Sequence, residues 1–163
     1  MKFWKIIRDL IPYAFIVFLV IIIRTYIATP VRVDGNSMRK TLEDGDILLL
    51  YKMAKFERND IIVLDEKEDE EIIIKRIIAL PGETIKIQNG KIYINDKEYN
   101  DEFAYGDTSD YEQVTLGEDE YFILGDNRLI SKDSRYFGTI TEDEIIGKVV
   151  FRFWPFSKIG TVN

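Results

Sequence analysis

Ser37 is the first residue of this sequence whose surroundings indicate chemistry. It follows Gly35-Asn36, between the apolar segment Val31–Val33 and a polar stretch, so it can lie on a tight turn. On such a turn the hydroxyl is exposed, and nearby backbone N–H groups can face a developing oxyanion. An ordinary turn serine has the same local sequence, so a nucleophile is indicated only if a base lies beside it.

The candidate base is Lys75, which lies inside the apolar segment Ile72–Leu80. Side chains alternate along a strand, so Lys75 shares a face with three apolar residues: Ile73, Ile77 and Ala79. Burial among such neighbours disfavours the charged form and lowers the pKa of a lysine from about 10.4. Only the neutral amine can accept a proton from a serine hydroxyl. The alternative is an edge-strand lysine whose charge opposes aggregation.

A third segment of interest is residues 125–135 (GDNRLISKDSR), which holds two arginines, two aspartates and two serines. We predict that Asp126 pairs with Arg76 and that Asp133 pairs with Arg135, which would stiffen the floor of a site. A second serine near the amine could orient it, as a third group orients the base in other catalytic triads.

Histidine and cysteine are both absent from the 163 residues. Without cysteine there is no disulfide, thiol nucleophile or thiolate metal site. Without histidine the commonest general base and metal ligand are missing, so a hydrolase must take its base from Lys, Asp, Glu or Tyr. A zinc site would need an unusual all-carboxylate shell, and no metal or other cofactor is expected. The acidic residues form no paired motif among apolar neighbours, which argues against a carboxylate-dyad enzyme.

Charge is distributed unevenly along the chain. The net charge is −7, yet the first 27 residues carry four bases and one acid. The remainder is therefore strongly acidic, which argues against nucleic acid as a partner, because phosphate binding needs clustered Lys and Arg. Three of the four bases, Lys2, Lys5 and Arg8, precede an apolar run.

That apolar run, Leu10–Ile23, contains fourteen residues without a charge. With a snorkelling Arg24 and Thr25–Ala28 it reaches about 19 residues, close to the roughly 20 that span a bilayer. Because bases precede the run, the positive-inside rule predicts a cytoplasmic N-terminus and an exported remainder. The alternatives are a buried core helix and a signal peptide cleaved after Ala28; Tyr26 at −3 disfavours cleavage, which needs small residues there. We expect an uncleaved, single-pass anchor in the cell membrane.

Past Pro30 the sequence changes to short apolar runs of strand length, separated by Gly, Asp and Asn. Thr84–Asn95 alternates Ile with polar residues around Asn89-Gly90, which predicts a hairpin with a two-residue turn. Asp65–Glu71 is predicted to be a solvated turn, since it lacks the ligand spacing of a calcium loop. Asn100–Asp119 is predicted to be a loop excursion, and Thr141–Ile146 one helical turn capped by Thr141. The other predicted strands are Val31–Val33, Ile47–Lys52, Ile61–Leu64, Ile72–Leu80, Tyr121–Leu124 and Lys148–Phe153.

The predicted fold class is mainly β, with antiparallel sheets preceded by one N-terminal transmembrane helix. Residues 1–28 would form the cytoplasmic N-terminus and the anchor. Residues 29–163 would form an extracytoplasmic catalytic domain, with residues 84–120 as a small hairpin and loop insertion. Near the C-terminus an aromatic cluster is expected either to pack in the core or to rest on lipid, and it comprises Phe151, Phe153, Trp154 and Phe156.

Together these three segments resemble the bacterial type I signal peptidases, in the compact Gram-positive form of the family. Residues 35–42 (GNSMRKTL) are similar to the serine box, usually written S-M-x-P-T-L. Residues 75–83 (KRIIALPGE) are similar to the lysine box, and residues 125–135 to the G-D-N-x3-S-x-D-S-R box. The order and spacing of the boxes agree, as does the apolar segment upstream of the serine. The resemblance spans residues 10 to about 155.

The resemblance implies that Ser37 is the nucleophile, that Lys75 is the general base, and that Ser131 hydrogen-bonds the lysine amine. The backbone N–H of Ser37 would donate to the oxyanion, and Gly35 stands where some relatives have a serine hydroxyl as a second donor. Four residues match structural ion-pair positions: Asp126, Asp133, Arg76 and Arg135. Five match positions that line shallow substrate pockets: Val33, Met38, Leu42, Ile73 and Ile74.

The substrates implied by the resemblance are exported preproteins with Ala-x-Ala-like cleavage sites, bound as an added strand at the surface of a lipid bilayer. Pockets that exclude larger side chains explain the preference for small residues at −3 and −1. One departure from the family pattern is Lys40, which stands where proline is usual. We interpret it as a tolerated variant whose positive charge would further favour a neutral Lys75.

Two other functions remain open at this point. A non-catalytic or specialised signal-peptidase-like protein could assist the assembly of pilus proteins, although degenerate relatives lack the serine or the lysine. A self-cleaving serine–lysine repressor would share a related catalytic fold. The apolar N-terminus and the lack of a DNA-reading module speak against the repressor.

Overall fold

A computed structural model describes residues 2–67 and 71–162. The chain begins with helix α1, Lys2–Ile22, which is followed by a π-helical turn, Ile23–Ile27. Residues 8–27 have a mean hydropathy of 2.3 and are not buried inside the protein. The helix is therefore long and apolar enough to cross a membrane, and its exposure contradicts the core-helix alternative.

Twelve strands follow within the described residues, and their pairings are antiparallel. Eight form a main sheet in the order β1-β2-β11-β3-β4-β9-β10, with β12 added to β11. Four form a small sheet in the order β7-β6-β5-β8. This architecture confirms the mainly β prediction. The strands are β1 (Ala28–Arg32), β2 (Ile47–Tyr51), β3 (Ile61–Glu66), β4 (Glu71–Ala79), β5 (Thr84–Gln88), β6 (Lys91–Ile94), β7 (Lys97–Tyr99), β8 (Tyr111–Thr115), β9 (Glu120–Leu124), β10 (Ile140–Thr141), β11 (Ile145–Trp154) and β12 (Gly160–Thr161).

The predicted hairpin forms β5 and β6 of the small sheet. Asn89 and Gly90 have φ angles of +53° and +75°, and two consecutive positive φ values are what a type I′ hairpin turn requires. The alternating isoleucines of the two strands pair across the hairpin and are buried. They pack in one cluster with Ile78, Phe122 and Leu124 of the main sheet, so this hairpin is held against β4 and β9.

The structure corrects two of the predicted elements. The expected loop excursion Asn100–Asp119 contains β8, which extends the small sheet by pairing with β5. The C-terminal strand is longer than the predicted Lys148–Phe153, because β11 pairs with both β2 and β3.

Two predicted turns have different outcomes. The turn within Asp65–Glu71 falls partly on residues 68–70, outside the described residues. The helical turn predicted in Thr141–Ile146 is a 3-10 turn, Glu142–Glu144. The Thr141 N–H donates to the Glu144 carboxylate at 2.6 Å and so caps this turn.

A buried cluster beneath the Ser37 turn fixes that turn to the main sheet. Val33, Met38 and Leu42 are each at most 3% exposed and pack against Leu48 and Leu50 of β2. Full burial of such a side chain contributes about 1.5–3 kcal/mol, so three anchors within ten residues hold the turn firmly.

A buried ion pair joins β4 to the segment that follows β9, as the sequence predicted. Arg76 Nε and Nη2 donate to the two carboxylate oxygens of Asp126 at 2.9 and 2.8 Å, and neither side chain is exposed. Arg76 Nη1 donates to the Asn59 carbonyl at 2.7 Å, and the guanidinium lies 3.7 Å from the ring centre of Phe103. The hydroxyl of Thr41 donates to Asp126 and accepts from Arg76. Four separate segments therefore converge on one charged group.

We expect Asp126→Ala to destabilise the protein by about 3–5 kcal/mol, because it leaves the guanidinium of Arg76 buried and unpaired. Chemical denaturation of the full chain in detergent micelles measures this loss. The control is Glu98→Ala, which removes a surface pair to Lys91 whose two side chains are more than half exposed and should cost less than about 1 kcal/mol.

A double replacement adds a second check on the same pair. Arg76→Met combined with Asp126→Leu should recover much of the lost stability, because no buried charge is left without a partner. Equal losses from Asp126→Ala and Glu98→Ala would contradict the importance of this pair.

Candidate active site

The structure brings Ser37 and Lys75 into direct contact. The Nζ of Lys75 lies 3.1 Å from the Oγ of Ser37 in a hydrogen bond, although the residues are 38 positions apart. The same nitrogen donates to the carbonyl of Ile74 at 3.2 Å. A hydroxyl and an amine at this distance can exchange a proton directly.

Lys75 is buried, as its apolar neighbours predicted. Its side chain is 3% exposed, and Ile77 beside it on β4 is fully buried. Burial lowers the pKa of Lys75 to about 8, although the negative charges of Asp133 and Glu71 act in the opposite direction. The desolvation effect outweighs the two carboxylates, so an appreciable fraction of the amine is neutral near physiological pH.

Ser37 lies on a tight turn between β1 and β2. Gly35 has a φ of +86°, a conformation that favours glycine, and its N–H donates to the carboxylate of Asp44 at 3.1 Å. The turn continues with an Arg39 N–H donating to the Asn36 carbonyl at 3.1 Å. The predicted strand-to-turn setting of the serine is therefore present.

The third segment holds the serine turn from the other side. The backbone N–H of Asn127 donates to the Ser37 carbonyl at 2.9 Å, and its side-chain amide donates to the Asn36 carbonyl at 3.1 Å. Asp133 forms the predicted ion pair with Arg135 at 2.8 Å, and it accepts the N–H of Gly125 at 3.0 Å. These contacts make the segment a rigid support for the Ser37 turn.

Gly125 permits close packing at the centre of this support. A Cβ atom at this position would lie 2.1 Å from the Oγ of Ser131 and 2.7 Å from the carbonyl oxygen of Ser37. Both distances are far below a van der Waals contact, so a larger residue would push the serine turn and Ser131 apart.

Ser131 does not make the contact that the family resemblance implied. It is buried beside the site, but its Oγ has no hydrogen-bond partner among the described residues. The amine of Lys75 donates to Ser37 and to the Ile74 carbonyl instead. Ser131 packs against the backbone of Gly125, so its observed contact is steric.

A cleft of about 430 Å³ opens beside the two catalytic candidates. It is bounded by Val31–Met38 on one side and by Glu71–Lys75 of β4 on the other. Of the five residues predicted to bind substrate, Val33, Met38, Ile73 and Ile74 line this cleft. Leu42 does not line it and is fully buried beneath the turn, where it packs in the core; its contact with substrate stays a prediction.

Lys40 adopts a conformation that proline cannot. Its φ is +90°, whereas the ring of proline fixes φ near about −65°. It is the third residue of a turn closed by the Thr41 N–H and the Met38 carbonyl at 3.1 Å. Its ammonium lies 4.6 Å from the ring centre of Tyr105, and it is not among the charges that shift the pKa of Lys75. The expected effect of Lys40 on the base is therefore not observed.

Sequence reasoning missed Arg128, a buried arginine in the third segment. Its Nε donates to the Gly125 carbonyl at 2.8 Å and its Nη1 to the hydroxyl of Thr108 at 3.1 Å, while Nη2 pairs with Asp101. These bonds connect residues 100–110 to the third segment, residues 125–135, which supports the Ser37 turn. The excess of acidic residues before this segment was the available signal, but it did not identify the partner.

Metal chemistry has no candidate site among the described residues, where no group of three or more potential ligands is found. The arrangement instead fits nucleophilic catalysis, because a hydroxyl, a partly neutral amine and an adjoining cleft coincide.

Comparison with known proteins agrees with this chemistry. A family model described as signal peptidase, peptidase S26, matches residues 6–154. Signal peptidase I of Streptococcus pneumoniae is 35% identical over 179 residues, covering 85% of this chain and 88% of the relative. Signal peptidase IB of Staphylococcus aureus is 33% identical over 177 residues, covering 94% and 92%. A crystal structure of a signal peptidase I from Enterococcus faecalis matches with a TM-score of 0.53 at 31% identity, covering 58% of this chain and 97% of that one. The chain belongs to the signal peptidases of peptidase family S26, which are serine endopeptidases.

Proposed function

We propose that this chain cleaves signal peptides from exported preproteins, with Ser37 as the nucleophile and Lys75 as the general base. The observation that carries the proposal is the 3.1 Å contact between a serine hydroxyl and a buried amine whose pKa is about 8. Family membership supports exported preproteins as the substrate class.

In the proposed mechanism the neutral amine of Lys75 takes the proton of Ser37 while Oγ attacks the scissile carbonyl. The C–N bond then breaks, and the lysine ammonium returns its proton to the leaving amine of the mature chain. A water molecule that Lys75 deprotonates attacks the remaining acyl-enzyme, the ester bond to Ser37 Oγ breaks, and the ammonium returns the proton to Oγ. Each cycle restores the serine and the neutral amine, so the residues of the chain suffice.

We assign the backbone N–H of Ser37 as one donor to the oxyanion. Gly35 has no hydroxyl to supply a second donor, so any further stabilisation must come from another backbone N–H or from water. In other hydrolases, removal of a single oxyanion donor lowers kcat by about 10²–10³-fold. This contact is therefore expected to lower the activation free energy substantially.

The cleft supports binding of the substrate as an extended strand. β1 is the outermost strand of the main sheet, so a chain can lie along it and hydrogen-bond to its backbone. Val33, Ile73 and Ile74 give the cleft an apolar lining. Shallow apolar subsites formed by these residues would accept Ala at −3 and −1 and exclude larger residues, because larger side chains would clash with them.

We propose that α1 is an uncleaved anchor with a cytoplasmic N-terminus and that the domain of residues 29–163 is extracytoplasmic. The exposed apolar residues of the domain support contact with the bilayer. Ile47 and Tyr51 lie on the outer face of β2, and Trp154 pairs with Ile47 at the end far from the anchor. Phe156 and Ile159 are exposed as well. We call these five residues the apolar stripe: Ile47, Tyr51, Trp154, Phe156 and Ile159. The stripe can rest on lipid.

The non-catalytic alternative finds no support in the site. Both catalytic candidates are present and in contact, and no observation favours a role confined to pilus assembly.

We expect Ser37→Ala and Lys75→Ala each to lower kcat/KM by about 10³-fold or more, since each removes one partner of the proton transfer. The assay is cleavage of a preprotein with Ala at −3 and −1 by the full chain in detergent micelles. Ser157→Ala and Lys91→Ala, both exposed and outside the cleft, serve as controls and should keep parental rates. Parental rates in both Ser37→Ala and Lys75→Ala would end the proposed mechanism.

The kcat/KM should rise about tenfold per pH unit in the acid range and level off above a pKa of about 8, because only neutral Lys75 accepts the proton. Glu71→Gln should move the profile to lower pH, since the Glu71 carboxylate raises the pKa of Lys75. Initial rates between pH 6 and 10 measure both. A profile that is flat across this range would contradict the assignment of the base.

Phe156→Ser with Ile159→Ser should lower cleavage of a preprotein embedded in lipid vesicles by about fivefold, as expected when ~1 kcal/mol of apolar burial is lost. The same variant should cleave a short soluble peptide at the parental rate, which excludes damage to the site. An equal loss on both substrates, or no loss on either, would show that the apolar stripe does not rest on lipid.

A further inference from the structure

A second cleft meets the first at the catalytic candidates. It has a volume of about 270 Å³, and Ser37 and Lys75 line both clefts. Ile130 and Phe137 line the second cleft alone. In the proposed function, on which this inference rests, residues before the scissile bond occupy the first cleft. The chain after the bond must therefore leave through the second.

The second cleft is rich in carboxylates. Asp34, Glu66 and Glu71 line it, against one ammonium group from Lys132, while Lys75 is neutral in its reactive form. Glu66 and Lys132 already interact with other groups. Asp34 and Glu71 are exposed and form no ion pair with any residue that the structure describes, so their charges are available to a bound chain.

The position of these two carboxylates relates them to the scissile bond. Asp34 and Glu71 line both clefts, so they flank the point where the clefts join. In the first cleft the guanidinium of Arg32 also contributes positive charge to the lining. The second cleft has Lys132 in place of that arginine and gains Glu66. With Lys75 neutral, three carboxylates therefore face one positive group there, against two carboxylates and one positive group in the first cleft.

We propose that Asp34 and Glu71 are specificity-determining residues that favour a cationic side chain, and disfavour an acidic one, within the first two residues of the mature chain. In an extended substrate alternate side chains point to opposite faces, so one of these two positions faces the carboxylates. Attraction between exposed charges is modest and screened by salt, which sets the expected size of the effect.

The test uses peptides with Ala at −3 and −1 that differ at one position, +1 or +2, which holds Arg, Gln or Glu. At low salt we expect kcat/KM to follow the order Arg, Gln, Glu at one of these positions, with about a tenfold difference between Arg and Glu. Rates are measured at pH 9.5, where Lys75 is largely neutral and Arg remains charged, so effects on the base do not interfere. High salt should bring the ratio towards one.

The double variant Asp34→Asn with Glu71→Gln should reduce the Arg-to-Glu ratio to about one. The matched control, Glu112→Gln with Glu118→Gln, removes two exposed carboxylates outside both clefts and should leave the ratio unchanged.

Each result bears on a different claim. Equal cleavage of the Arg and Glu peptides at both positions by the parent chain would overturn the inference and leave the proposed function intact. A ratio that persists in the double variant would overturn the assignment to Asp34 and Glu71. Failure to cleave any of the peptides would overturn the proposed function, and the inference with it.

Discussion

The chemistry depends on keeping one amine uncharged while it touches one hydroxyl. With an ordinary pKa of about 10.4, roughly one lysine in 2,500 would be neutral at pH 7, whereas a pKa of about 8 raises that fraction to about one in eleven. Burial provides this gain of more than two orders of magnitude, against the opposing charges of Asp133 and Glu71. Exposure of the Nζ of Lys75 to bulk solvent would restore the charge, so the packing of β4 contributes to the proposed catalysis.

Lys75 and Arg76 are adjacent on β4 and both buried, but only Arg76 keeps a full charge. Lys75 points to the cleft and loses its charge, whereas Arg76 points to the opposite face and keeps its charge through a bidentate pair with Asp126. Arginine is not deprotonated in proteins, so a buried arginine needs a carboxylate partner. Because Asp126 is that partner, the third segment is held next to β4. Asn127, the next residue, then donates to the Ser37 carbonyl. The alternation of a single strand thereby positions both Lys75, the proposed base, and the segment that supports Ser37, the proposed nucleophile.

The sequence predicted those features that local pattern or family resemblance determines. Ile72–Leu80 reads as a strand because of its dense β-branched residues, and the Arg76–Asp126 pair follows from charge complementarity between two motifs. β8 was missed because its polar sequence, YEQVT, forms a strand only where β5 offers a free edge. The partners of Arg128 lie 20 and 27 residues away, and no local pattern distinguishes them from the many other acidic and hydroxyl side chains. Such contacts depend on tertiary packing.

The connection between α1 and Ser37 is short, and this constrains where the proposed reaction occurs. β1 follows the apolar helix directly, and Ser37 is only nine positions after Ala28, a distance of at most about 30 Å when the chain is extended. The strand pairs with β2, whose outer face carries part of the apolar stripe, so β1 and β2 can lie against the bilayer. β1 also forms one wall of the cleft. With α1 as the anchor that we propose, a substrate held in the same membrane would reach the site without leaving the lipid surface. In that arrangement the proximity of helix, edge strand and serine in the chain would favour membrane-tethered substrates over free peptides, independently of any contact with the side chains at −3 and −1.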